Sequence, residues 1–171
     1  MEMIMGNQYT EFAMRLRSDT FVKYNCAQAV LVPFADACGI RAEQAYLLGM
    51  HFGGGMKMAS VCGAITGGLM VIGMLGGGDE QYRAFMKAMH ESHDGMVECR
   101  DLLKRNKELG GEKRPHCDAM ICEAAELVVR VMGGTEQGPC NANARLAELN
   151  RMIRELKMNE GLNGSLSESE A

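Results

Sequence analysis

The stretch Met58–Gly78, MASVCGAITGGLMVIGMLGGG, carries no charged side chain and seven glycines. Its length suits a membrane crossing, yet it ends in Gly76-Gly77-Gly78 and lacks aromatic anchors or a basic cluster at its flanks. Gly63 and Gly67 are four residues apart, as are Gly73 and Gly77, so a helix here presents flat patches where neighbouring helices approach closely. The segment therefore reads as the buried core helix of a bundle, starting near Ser60, and not as a membrane span.

The flanking sequence keeps the same rhythm. Cys26, Ala29, Val30, Phe34 and Ala37 recur at helical spacing up to Gly39, and Pro33 is expected to kink or split that helix. Residues 41–51 form a second short helix, followed by the loop Gly53-Gly54-Gly55. Tyr82, Phe85, Met86, Met89 and His93 mark one face of a helix from about Glu80 to Asp94, closed by Gly95. Cys99, Leu102 and Leu103 point inward from a shorter helix that stops at Gly110-Gly111. Pro115 opens a longer one with Cys117, Met120, Ile121, Ala124, Val128 and Val131 on one face. Leu146, Leu149, Ile153 and Leu156 form the stripe of a last amphipathic helix, which packs on the body or pairs with a second copy as a homodimer. No strand pattern of period two persists. The expected fold is all-α, a single-domain helical bundle around a central Gly-rich helix. Residues 1–134 form the four-cysteine domain, 135–158 the linker and C-terminal helix, and 159–171 a polar tail expected to be disordered.

The 171 residues include 18 Lys+Arg and 22 Asp+Glu, for a net charge of −4. Without a basic run, nucleic acid is not an expected partner. The N-terminal stretch MEMIMGNQYTEFAMRLR has no basic n-region or apolar core of a secretory signal, so a cytoplasmic location is expected. Thiols there stay reduced, and seven cysteines then point to catalysis, redox sensing or metal binding more than to structural staples.

Four of the seven fall at predicted helix starts. Cys26 follows Asn25, a good N-cap; Cys62 lies where the Gly-rich loop meets the core helix; Cys99 follows Glu98; Cys117 follows Pro115 by two. Unpaired N–H groups and the positive end of the helix dipole favour a thiolate there. Cys38, at a helix end, and Cys122 read as packing residues, and Cys140 stays unassigned. With no C-x-x-C, a common site has to be assembled from four separate helices.

The segment Asn25-Cys26-Ala27-Gln28-Ala29-Val30, the loop Phe52-Gly53-Gly54-Gly55-Met56, and Cys62-Gly63-Ala64-Ile65-Thr66-Gly67, followed by Cys99 and Cys117, resemble the C_GCAxxG_C_C family. Its members are small helical proteins described as redox-active and named for four cysteines. The resemblance spans roughly residues 8–133 and implies that the functional sulfurs are Cys26, Cys62, Cys99 and Cys117. Haem-bearing relatives of the family that resemble iron–sulfur proteins add weight to a cluster on equivalent cysteines. Met56-Lys57-Met58 departs from the plainer Gly-rich stretch common at that place, and the helix beyond Gly134 lies outside the shared region.

Three functions follow from these residues. In the first, an oxidoreductase-like exchange, Cys62 attacks an oxidised partner protein or small thiol because Gly54, Gly55 and Gly63 leave room for its approach, and Cys26, Cys99 or Cys117 resolves the mixed disulfide. In the second, the four thiolates hold a metal, [2Fe–2S] ahead of zinc, for electron transfer. Met56 and Met58 beside Cys62 suit Cu(I) as soft ligands. In the third, Cys and the 16 Met merely fill a Trp-free core of a helical assembly module. His90, Glu91, His93 and Asp94 form a polar knot that reads as a solvated face before it reads as a metal site. His116 and Arg100, each beside a cysteine, are candidates for stabilising a thiolate.

Overall fold

A computed structural model describes residues 6–134 and 142–167. The chain folds into α1 (Gln8–Ser18), α2 (Cys26–Leu31), α3 (Ala42–Leu48), α4 (Gly63–Met74), α5 (Asp79–Ser92), α6 (Cys99–Glu108), α7 (Lys113–Val131) and α8 (Ala142–Ser167), a helical bundle with no named strand among the described residues. Pro33 splits the second segment as its missing N–H requires: α2 stops at Leu31 and a 3-10 turn runs over Val32–Phe34.

Helix α4 occupies the centre, against α2 and α7. Its 12 residues fall short of a bilayer, and no helix among the described residues is long and apolar enough to cross one. Gly67 explains the close packing, since a Cβ there would lie 2.9 Å from the Ala27 carbonyl and 3.1 Å from Val30 Cβ. The second glycine pair is not a flat patch of α4, although a Cβ on Gly77 would stand 3.0 Å from Met132 Sδ. Gly77 lies beyond the end of α4, and a Cβ on Gly73 would meet nothing within 4 Å.

Helix α1 is absent from the helices expected above, although its signals are present. Asn7 caps it by accepting from the N–H groups of Tyr9 and Thr10, at 3.0 Å each, and Tyr9, Phe12, Ala13 and Leu16 bury one face. Tyr9 stacks on Phe34 with ring centroids 3.8 Å apart. Helix α8 lies on α1 and α3, with Leu149 and Ile153 fully buried, so this part of its stripe is covered by the same chain. Asn150 anchors it, accepting from the Tyr24 hydroxyl at 2.7 Å and donating to Asp19 at 2.9 Å. The helix runs on through Ser167, past Asn159, where the polar composition gave an expectation of disorder. Once a helix is nucleated by docking, each added residue forms a further hydrogen bond. Cys140 and the linker 135–141 lie outside the described residues.

Candidate functional site

Cys26 opens α2, and its position depends on Asn25. The Asn25 side chain accepts from the Gln28 N–H at 2.9 Å while Gln28 Oε1 accepts from the Asn25 N–H at 3.0 Å, a reciprocal capping box. Asn25 Nδ2 also donates to the carbonyls of Gly49 and Met50, tying α2 to the end of α3. Asn25→Ala removes both cap and tie. It is expected to cost about 2–4 kcal/mol, read as a lowered urea midpoint of the reduced protein.

Gly63 brings the next sulfur close. A Cβ there would lie 2.9 Å from the Phe52 carbonyl and 3.2 Å from Cys26 Cβ, so the start of α4 can touch the start of α2 only through glycine. Cys62, the N-cap of α4, is tied to Cys99 through the backbone. Val61 and Glu98 form a single antiparallel bridge in which the Cys62 N–H donates to Val97 (2.9 Å) and the Cys99 N–H to Ser60 (2.7 Å). Cys117 arrives on α7, which starts at Lys113, two residues earlier than Pro115 implied. Proline fits anywhere in a first turn, where N–H groups lack helical partners, and Cys117 therefore sits in the second turn.

All four sulfurs line one small cavity, of about 10 Å³, together with Gly54, Gly63, Leu102, His116 and Met120. That is room for about one water. All described cysteines are free thiols, and Cys62 is the most buried of the four.

The thiols of the site are not equivalent. A hydrogen bond from Cys26 brings the Cys117 thiol down to about 7, against burial, with help from the positive charges of Arg17 and Lys113. The same bond, with burial, pushes Cys26 far up, so it remains the protonated donor. Burial pushes Cys62 up to about 11, although the N–H groups of Ala64 and Ile65 pull the other way. Burial, then the nearby Cys117, also raises Cys99. The helix-start argument thus loses at Cys26, Cys62 and Cys99. A helix terminus contributes about 0.3–1 kcal/mol, under one pKa unit, and the desolvation of a thiolate exceeds it. The lowered thiol of the four is thus Cys117, while Cys62, the attacking group expected from sequence, is raised.

Arg17 is the residue that sequence reasoning missed. It lies on the overlooked α1, donates to Asp118 at 2.7 Å and to the Tyr24 carbonyl at 2.8 Å, and is held next to Cys117 by that pairing. Its position one residue past Leu16, the last of a buried helical stripe, gave no sign of a partner on α7. Lys113 takes the part expected of Arg100, whose guanidinium pairs with Glu98 at 2.9 Å. His116 lines the cavity, with burial and then His93 keeping its pKa low.

The remaining candidates disperse. His93 meets Glu123 at 2.6 Å, Asp94 meets Arg105 at 3.6 Å, Glu91 meets Lys87 at 3.8 Å, and His90 is exposed. Met56 and Met58 are exposed and do not line the cavity, although the turn that carries them is strained, with Met56, Lys57 and Ala59 all at positive φ. Gly55 supports that turn, since a Cβ on it would lie 2.3 Å from the Ser60 carbonyl. Cys38 and Cys122 lie away from the cavity, each raised first by burial. Among the described residues, no three His, Cys, Asp or Glu side chains are grouped to hold a metal ion.

A family model described as "Putative redox-active protein (C_GCAxxG_C_C)" matches residues 24–131, more than half of the chain and all four cavity cysteines. The chain belongs to the C_GCAxxG_C_C family. The family's segment runs from just before α2 to the end of α7, so α1 with Arg17 lies outside it, as does α8. No curated protein and no solved structure matches the chain.

Proposed function

We propose that this family member is a thiol–disulfide redox protein in which Cys117 attacks and Cys26 resolves. The observation that carries this reading is the single cavity that all four cysteines wall, with the Cys117 thiol lowered by its neighbour Cys26. It supplies a thiolate at neutral pH beside a protonated thiol, the pairing that exchange needs. Cys117 Sγ attacks one sulfur of a disulfide R–S–S–R, forming Cys117–S–S–R and expelling R–S⁻, which takes a proton from water. Cys26 Sγ then attacks Cys117 Sγ, breaking the Cys117–S–S–R bond, and its proton goes to the departing R–S⁻ to give R–SH. The protein dithiol becomes the Cys26–Cys117 disulfide, and two electrons pass to the substrate, leaving two R–SH. Cys62 and Cys99, clamped together by the backbone bridge, stand as a second dithiol on the same cavity.

The test is to oxidise the reduced protein with bis(2-hydroxyethyl) disulfide, trap the remaining thiols with N-ethylmaleimide and map the peptides. A Cys26–Cys117 bridge is expected first, and Cys117→Ser is expected to stop its formation. Oxidation that leaves both residues alkylated overturns the proposal.

A second reading places a [2Fe–2S] cluster, or zinc or Cu(I), on the same four thiolates. The convergence of four sulfurs favours it. The small cavity and the absence, among the described residues, of a metal-holding group favour thiol exchange. Visible absorption with iron and acid-labile sulfide in the purified protein would replace the first reading with the second.

A further inference from the structure

We propose that the cleft between the end of α5, helix α6 and the start of α7 is the binding site for a small disulfide that carries carboxylate groups. This rests on Cys117 being the attacking thiol. The cavity around the sulfurs is too small to take a substrate whole, so a reacting disulfide must sit next to it. A cleft of about 220 Å³ does so, and Leu102 and His116 line both spaces. The inner wall of the cleft is thus the outer wall of the thiol cavity. Its volume falls below the range of drug-sized pockets and suits a small molecule.

The cleft's polar groups set the class of ligand. Arg105 lines it with a half-exposed guanidinium, whose partner Asp94, at 3.6 Å, is itself largely exposed. That long, solvated pair leaves guanidinium donors for the planar, two-pronged contact a carboxylate offers. His93, also in the wall, is engaged by Glu123, and burial favours the neutral form of His116, so Asp94 and Arg105 are the exposed charges of the cleft. Behind the wall, Lys113 and Arg17 add positive charge at Cys117, offset in part by Asp118, which pairs with Arg17. A carboxylate-bearing disulfide is drawn to Arg105, while a cationic one finds no such partner there and meets the like charge of that guanidinium. Met96, Leu102 and Leu109 give the carbon chain an apolar floor. The reaction is the exchange written above, with R–S⁻ released into the cleft.

The experiment compares rates of oxidation of the reduced protein at pH 7 and low salt by bis(2-carboxyethyl) disulfide, bis(2-hydroxyethyl) disulfide and cystamine. Each rate is read as loss of the Cys26 and Cys117 thiols. The carboxylate probe is expected to react about tenfold faster than the neutral one and cystamine more slowly, an order that salt weakens. In Arg105→Glu the carboxylate-to-neutral ratio is expected to fall about tenfold or more, and in Arg105→Lys to stay above one. A ratio that Arg105→Glu leaves unchanged, with Cys117 still reacting, overturns the cleft assignment and leaves the exchange mechanism standing. Failure of every probe to oxidise Cys117 overturns the exchange mechanism and the cleft together.

Discussion

In Cys26→Ala, the pH midpoint for alkylation of Cys117 by iodoacetamide moves up from about 7 to the ordinary thiol range near 9 or beyond. The hydrogen bond from Cys26 is the largest cause of the lowered value, and without it burial opposes only Arg17 and Lys113. A thiol of pKa 7 is about half ionised at pH 7, against about one part in a hundred for pKa 9, a roughly 50-fold difference in thiolate. Nucleophilicity falls with pKa at a slope of about 0.4–0.5, which removes all but roughly a five- to eightfold advantage in rate. The midpoint is therefore the sharper readout and the rate at pH 7 the weaker one. Arg17→Met is expected to move the midpoint the same way by less, and also to lower stability, because Asp118 loses its closest cation. A midpoint that stays near 7 in Cys26→Ala shows that Cys26 does not donate to Cys117.

The same titration predicts how stability follows pH in the reduced protein. The depressed Cys117 pKa contributes stability that is present above the unfolded thiol value and is lost as pH falls through about 7. Cys26, Cys38 and Cys62 have raised values, so their contribution is full below the unfolded thiol value and declines above it, toward about 11 for Cys38 and Cys62. The urea midpoint is expected to peak between about pH 7 and 9 and to fall on both sides.

Gly63→Ala is expected to destabilise the reduced protein by about 1–3 kcal/mol and to weaken the coupling of Cys26 to Cys117 in the same stroke. The new methyl carbon would stand 2.9 Å from the Phe52 carbonyl, 3.2 Å from Cys26 Cβ and 3.3 Å from the Ala27 nitrogen. Two of these three are backbone atoms, which cannot rotate away, so α2 and α4 must part. Because Cys26 rides on α2, the alkylation midpoint of Cys117 is expected to rise along with the loss of stability. Gly73→Ala, in the same helix, serves as the contrast. Its Cβ would meet nothing within 4 Å, and replacing a helical glycine with alanine stabilises by about 0.5–1 kcal/mol. Urea midpoints moving in opposite directions would establish that Gly63 is kept for contact and Gly73 is not. Equal shifts would refute that assignment.

How much could be read without coordinates differs from element to element. Local patterns carried the all-α class, the Pro33 break and the stop at Gly95. They also placed Cys26, Cys62 and Cys99 at helix starts, because apolar period, caps and breakers are properties of neighbouring residues. Helix α1 has those marks as well, in the Asn7 cap and the apolar face of Tyr9, Phe12, Ala13 and Leu16. The Val61–Glu98 bridge, by contrast, leaves no trace in a sequence, since one pair of residues has no period.

The chain's order by itself determined which residues form helices and which sulfurs stand at their starts. Which sulfur is activated was decided only by the tertiary structure. A thiol's pKa sums burial and charge through space, and at Cys117 the decisive groups come from α2 and from Arg17, whose partner Asp118 lies 101 residues further along the chain. Periodicity records what a residue's neighbours in sequence require of it, whereas ionisation records what surrounds it after folding.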